Sequence, residues 1–200
     1  MNKPHIGIIY QETLSKEIFH NFITTVSTKN LDLQIESREA TPYAMAYEWL
    51  IPTAIITYIS KAYFDAFLKE MGKDHYNLLK KGLLSLQDSL FGDNAPKIRI
   101  ITSTNAPNKN KKNPYSLLFS IIADAKDNKH FKLLIEDNIS ADEYQRTINL
   151  FLIFLNEYHS DTLSSESRLE LEKQKAIQGA FFLSYSKKTD KLEFLDIFES

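Results

Sequence analysis

The stretch EWLIPTAIITYIS, residues 48–60, is the most hydrophobic run in the chain, and its folding decides the rest. Three structures compete for it: a membrane span, a buried helix and a buried strand. From Trp49 to Ser60 is twelve residues, about 18 Å as a helix. A bilayer core is about 30 Å thick. Glu48 and Lys61 close the run on both sides, so it does not span a membrane. As a helix, Leu50, Ile51, Ala54, Ile55, Ile56, Tyr58 and Ile59 would cover nearly the whole circumference. Thr53, Thr57 and Ser60 would form a thin hydroxyl stripe, and Pro52 would be tolerated only in the first turn. As a strand, the run splits at Pro52, which disfavours helical geometry at Ile51. AIITYIS (54–60) is then dense in β-branched and aromatic residues without alternation, as in a strand buried on both faces. The flanking segments favour the strand.

On the N-terminal side, HIGIIY (5–10) is a short apolar run that reads as a strand. Residues 14–29 carry Leu14, Ile18, Phe19, Phe22, Ile23 and Val26 at helical spacing. LDLQIE (31–36) alternates as a strand does, and 42–50 fits a short helix. On the C-terminal side, 61–91 reads as one long helix with Phe64, Phe67, Leu68, Met71, Leu78, Leu79 and Leu86 on one face. Gly92 supplies the stop signal. KIRIITST (97–104) alternates as a strand. The first half therefore reads β-α-β-α-β-α-β, the pattern of a parallel-type sheet covered by helices, with right-handed crossovers.

NAPNKNKKNP (105–114) is a loop and the expected seam between two lobes of one compact chain, 1–104 and 115–200. Beyond it, 115–125 and 130–136 form a predicted hairpin around KDNK. Ser140 and Glu143 make a capping box that opens a helix to about His159. A charged helix is expected at about 166–177, ending at Gly179. A last hairpin joins GAFFLSYS (179–186) to KLEFLDIF (191–198) through KKTD. The fold class is α/β, with mixed α+β as the alternative.

Composition narrows function mainly by exclusion. The 43% hydrophobic and 25% charged residues are ordinary globular proportions. A net charge of −2 gives no field for nucleic acid or acidic lipid. There is no cysteine, so disulfides, thiolate zinc and cysteine nucleophiles are excluded. The N-terminal apolar core, six residues, is too short for a signal peptide, and a cytoplasmic location is expected. The five glycines match neither a dinucleotide fingerprint nor a P-loop. No serine sits in GxSxG. The five histidines form no local metal motif. No metal or cofactor is expected.

Three features carry candidate chemistry. His75 follows Met71 by four residues and precedes Leu78 by three, so it falls on the apolar face of its helix. A histidine buried there serves as a general base or as a core side chain bonded to a carbonyl. The carboxyl ends of strands 5–10 and 31–36, if parallel neighbours, bring together Tyr10, Gln11, Glu12, Glu36, Arg38 and Glu39. The strand 97–104 adds Thr102, Ser103 and Thr104. Ligands collect at such ends. Glu36 or Glu70 would be the catalytic carboxylate, and Tyr10, Glu12, Arg38 and Ser103 would bind a polar small molecule. The lysine loop 109–112 lacks the arginines and stacking aromatics of a nucleic-acid groove.

IGIIY (6–10) followed by IITYISKAYFDAFLKE (55–70), with Ser60, Tyr63 and Glu70, resembles a TIR domain. The resemblance covers at most residues 1–104. It departs from the family in placing Glu70 about two residues early and in lacking the tryptophan–cysteine pair. What it implies is NAD hydrolysis at the strand ends, on fold-level analogy alone.

Two functions follow as expectations. One is a non-catalytic protein-interaction module or assembly subunit, with a protein partner or self-association expected, because 24 of 200 residues are aromatic. The other is a nucleotide-directed hydrolase. Neither a nucleic-acid nor a membrane partner is expected.

Overall fold

The computed structural model describes residues 4–29, 31–39, 53–66, 72–98 and 113–196. They form a mixed α/β fold around a seven-stranded sheet. The first half supplies β1 (Ile6–Gln11), a 3₁₀ turn (Lys16–Phe19), α1 (His20–Val26), β2 (Leu33–Arg38) and β3 (Ile55–Ile59). It continues with α2 (Lys61–Ala66), α3 (Gly72–Ser85) and α4 (Gln87–Phe91). After Asn113 come β4 (Tyr115–Asp124), β5 (His130–Glu136), α5 (Ala141–His159), α6 (Ser165–Lys173), β6 (Ala180–Ser186) and β7 (Lys191–Phe194). The strand order is β2-β1-β3-β4-β5-β6-β7.

The opening run is a strand: β3 sits in the sheet between β1 and β4, and all but Tyr58 of its residues are buried. Its direction differs from the expectation. β1 and β2 are parallel, but β3 runs antiparallel to β1 and parallel to β4. The parallel-type first half is thereby corrected to a mixed sheet. The reason lies in the connection. β2 ends where β3 begins, since the Arg38 guanidinium Nη2 donates to the Thr53 carbonyl at 3.0 Å. A chain that re-enters at the end it left must run back. Apolar spacing has no direction and cannot report this.

The other strand pairs alternate: β4 and β5 antiparallel, β5 and β6 parallel, β6 and β7 antiparallel. Both expected hairpins are present. Strands from both halves of the chain lie in this one sheet, and one apolar cluster runs through both.

The long helix expected at 61–91 is not continuous. α3 stops at Ser85 and α4 starts at Gln87. The Ser85 hydroxyl donates to the Gly82 carbonyl at 2.7 Å, and the Leu86 amide bonds Leu83, three residues back. Such local bonds tighten and end an α-helix. The Ser140–Glu143 capping box is formed. α6 ends at Lys173, short of the expected 177, because Gln174 turns to extended backbone. Gly179, at φ +81°, sits instead in a tight turn in which Ile177 and Ala180 exchange both backbone bonds. The helix expected at 42–50 lies outside the described residues, as does the strand expected at 97–104 apart from Lys97 and Ile98, which are not in a strand.

One sheet face packs against α1 to α5. Ile6, Ile8, Ile55, Ile59, Phe119, Ile121, Phe131, Leu133 and Phe181 meet Phe22, Leu79, Leu83, Ile148, Phe151 and Leu155 there. The fully buried Tyr144 donates its hydroxyl to the Leu83 carbonyl at 2.8 Å, pinning α5 to α3. Burial pushes that phenol's pKa well above its usual value. Leu134, Ala180 and Phe182 form a smaller cluster.

Thr57, in the middle of β3, is fully buried, and its hydroxyl has no hydrogen-bond partner among the described residues. A buried hydroxyl left unpaired costs free energy that a methyl of the same shape does not. Thr57→Val should therefore stabilise the protein by about 1 kcal/mol, read as a higher urea midpoint with an unchanged slope. The neighbouring Thr53 hydroxyl is paired with Ser120 at 2.6 Å and should give no such gain on replacement.

Candidate functional site

The reversal of β3 places the carboxyl ends of β3 and β4 at the end of the sheet opposite those of β1 and β2. β3 and β4, a parallel pair, both finish there, and β1 and β2 both begin there. Polar residues follow the apolar strands at that end: His5 before β1, Asp32 before β2, Ser60 and Lys61 after β3, and Asp124 closing β4. With Ala62 and Asp65 of α2 they line a cleft of about 460 Å³.

Asp124 is held by two donors. Its Oδ1 accepts the Tyr58 hydroxyl at 2.6 Å and its Oδ2 accepts the Lys61 amide at 3.0 Å. The carboxylate thus anchors the first turn of α2 to the end of β4. Nδ1 of His5 accepts the Asp32 amide at 3.0 Å, which in the neutral ring leaves the proton on Nε2. Ser60 donates its hydroxyl to the His5 backbone carbonyl at 3.1 Å, so no ring nitrogen takes its proton. Lys61 and Asp65, each about half exposed, pair at 2.5 Å along one helix face.

Behind the cleft, His159 ends α5. Its ring stacks on Phe64 with centroids 4.0 Å apart, and its Nε2 lies 3.1 Å from the Asp124 carbonyl. Burial depresses its pKa from 6.5 to about 4, with the nearby Lys61 charge acting the same way.

The residues expected to form the site are at the opposite end. Gln11 and Arg38 are register partners, so the carboxyl ends of β1 and β2 do lie side by side. Tyr10 points into the core and packs on Phe19, with ring centroids 5.1 Å apart. Glu12 is exposed, and its amide bonds the Arg38 carbonyl. Glu36 and Arg38 share one face of β2, yet Glu36 accepts Gln34 at 2.6 Å while Arg38 turns to Thr53. On that face Lys132 of β5 is buried, its ammonium 5.9 Å from the Phe182 ring centroid. Burial first, and then the Arg38 charge, lower the Lys132 pKa to about 8. Glu70 and Ser103 lie outside the described residues. His75 is half-buried rather than enclosed, and its backbone carbonyl accepts the Tyr63 hydroxyl at 3.2 Å.

His5, Asp32, Asp65 and Asp124 were not among the expected site residues. A signal for them existed, because each stands beside an apolar strand or in the helix that leaves one. Only strand direction places them together.

Among the described residues no group of three or more histidine, aspartate or glutamate side chains is arranged to hold a metal ion. No described helix is long and apolar enough to cross a membrane. Comparison with protein-family models, with curated proteins and with solved structures finds no match.

Proposed function

We propose that this chain binds a small polar ligand of neutral or positive charge in the cleft at the carboxyl ends of β3 and β4. The observation that carries the reading is the make-up of the lining. Three carboxylates, Asp32, Asp65 and Asp124, face one ammonium, Lys61, so acidic groups outnumber the lysine, and the His5 Nδ1 accepts a backbone amide. Asp124 is fixed by its two donors, whereas Asp32 offers acceptor oxygens and the His5 ring offers an N–H. That combination suits the hydroxyls of a sugar or a primary amine. It repels phosphates, and among the described residues no phenylalanine, tyrosine or tryptophan lines the cleft to stack a base. The volume falls within the ordinary range of ligand pockets, roughly 300–1,000 Å³.

The cleft is read as a binding site without covalent chemistry. The Ser60 hydroxyl is committed to a backbone carbonyl, so it lacks the adjacent base that activates a nucleophile. The nucleotide-directed hydrolase draws no support from this lining. The interaction-module reading rests on exposed aromatics, and every described aromatic side chain is buried or half-buried.

Thermal-shift measurements with panels of primary amines, neutral sugars and nucleotides test the proposal. A member of the first two panels should raise Tm, and Asp32→Asn should cut its affinity about tenfold or more, the loss of one charge-assisted hydrogen bond. Stabilisation by nucleotides alone, or binding indifferent to Asp32→Asn and Asp65→Asn, would overturn it.

A further inference from the structure

β7 is one of the two sheet edges among the described residues. The Leu195 amide bonds the Phe182 carbonyl at 2.9 Å, and Glu193 and Lys191 stand opposite Ser184 and Ser186. Hydrogen-bonded and non-bonded pairs alternate in an antiparallel ladder. The backbone groups of Leu195, Glu193 and Lys191 therefore point to β6, and those of Leu192 and Phe194 point away from the sheet. The side chains sort by face. Leu192 and Phe194 lie under α5, with the Phe194 ring centroid 6.0 Å from that of Phe154, and both are half-buried. Next to Phe154, Ile153 is 46% exposed, one of two large apolar side chains so exposed among the described residues. Lys191 and Glu193 lie on the other face.

We infer that β7 pairs antiparallel with β7 of a second copy of this chain, about a two-fold axis at Leu192. The charge pattern selects this occupant and this register. With Leu192 opposite its own copy, Lys191 stands opposite Glu193 of the other chain, and the relation repeats across the axis. Moving the axis to Glu193, a two-residue slide of one strand past the other, puts Glu193 opposite itself, and like charges directly opposed destabilise a sheet. The Leu192 register also makes Leu192 a hydrogen-bonded pair, which uses the outward amides and carbonyls. Leu192 and Phe194 of both copies then meet beneath the two α5 helices, where Ile153 extends the apolar strip. Free edges are routinely managed by short strands and charged side chains; here the charges are self-complementary. A four-residue edge buries little area, so the dimer belongs at the weak end of the interface range.

Sedimentation velocity on the full chain, from about 1 to 300 µM, bracketing the range of a small interface, reads the result. The weight-average mass should rise from the 23.1 kDa of the chain towards twice that value. Leu192→Pro removes only an outward amide and leaves the β6 ladder intact, so it should hold the protein at monomer mass with unchanged circular dichroism. Lys191→Glu should weaken the dimer at least fivefold, and the double variant Lys191→Glu with Glu193→Lys should restore it. Monomer mass across the whole range overturns the inference. So does a dimer that survives Leu192→Pro in a folded protein, or a charge swap that fails to rescue Lys191→Glu.

Discussion

Gly82→Ala should destabilise the protein by about 2 kcal/mol. In an isolated helix the same change stabilises by up to about 1 kcal/mol, because glycine loses more backbone entropy on folding. The sign reverses here because of packing. A Cβ at position 82 would lie 2.3 Å from Val26 Cγ2 and 3.2 Å from the Phe22 ring. Val26 and Phe22 are fully buried on α1, so neither can swing into solvent. α1 and α3 must separate, and overpacking of this kind costs about 1–3 kcal/mol. The loss should appear as a lower urea midpoint. A second change locates the cause: Val26→Ala opens the space, so Gly82→Ala in that background should cost much less than in the native sequence. Equal costs in both backgrounds would show that the helix contact is not the source.

The second large effect is a loss of stability in mild acid, traced to His159. Its pKa is about 4 in the folded protein and 6.5 when unperturbed. The unfolded chain therefore takes up a proton first as pH falls. Between 6.5 and 4 it binds more protons than the folded state, and stability declines with falling pH. Above 6.5 both states are neutral at this site and the contribution is complete. At pH 5 the expected loss relative to pH 8 is about 1–2 kcal/mol, allowing for the part of the ring that solvent screens. His159→Phe keeps a flat ring on Phe64 and removes the titration. Denaturation between pH 5 and 8 should show a slope in the native protein that is much shallower in the variant. Asp161 and Asp190, whose pKa values are held low by Lys126 and Arg146, lose their ion pairs only at lower pH. They leave this window clear. Identical slopes in the two proteins would remove His159 as the cause.

The acid effect bears on the proposed site. Phe64, on which His159 stacks, lies in the same helix as Lys61 and Asp65, and the carbonyl that His159 meets belongs to Asp124. Loosening that contact loosens two sides of the cleft, so ligand binding and the stability of the α5 terminus should weaken together in acid.

Much was legible in the residues alone. Runs such as AIITYIS and HFKLLIE were readable as strands because β-branched and aromatic side chains fill a buried pleated surface. The Ser140–Glu143 box marked the start of α5, and the short polar turns KDNK and KKTD marked both hairpins. These signals act within a few residues of chain, which is why they survive without tertiary information. The alternation of strands and helices suggested a parallel first half, which holds for β1 and β2 but not for β3, antiparallel to β1.

What only the tertiary structure decided was which strand ends share a side. Apolar spacing is identical whether a strand runs up or down, and the return from β2 to β3 is fixed by contacts such as Arg38 to Thr53, fifteen residues apart. That one reversal separates Tyr10, Glu12, Glu36 and Arg38 from the carboxyl ends of β3 and β4, and brings His5, Asp32, Lys61 and Asp124 together instead. Gly82 makes the same point at closer range. The sequence shows a glycine inside a helix, but only the approach of α1 explains why no larger side chain fits there.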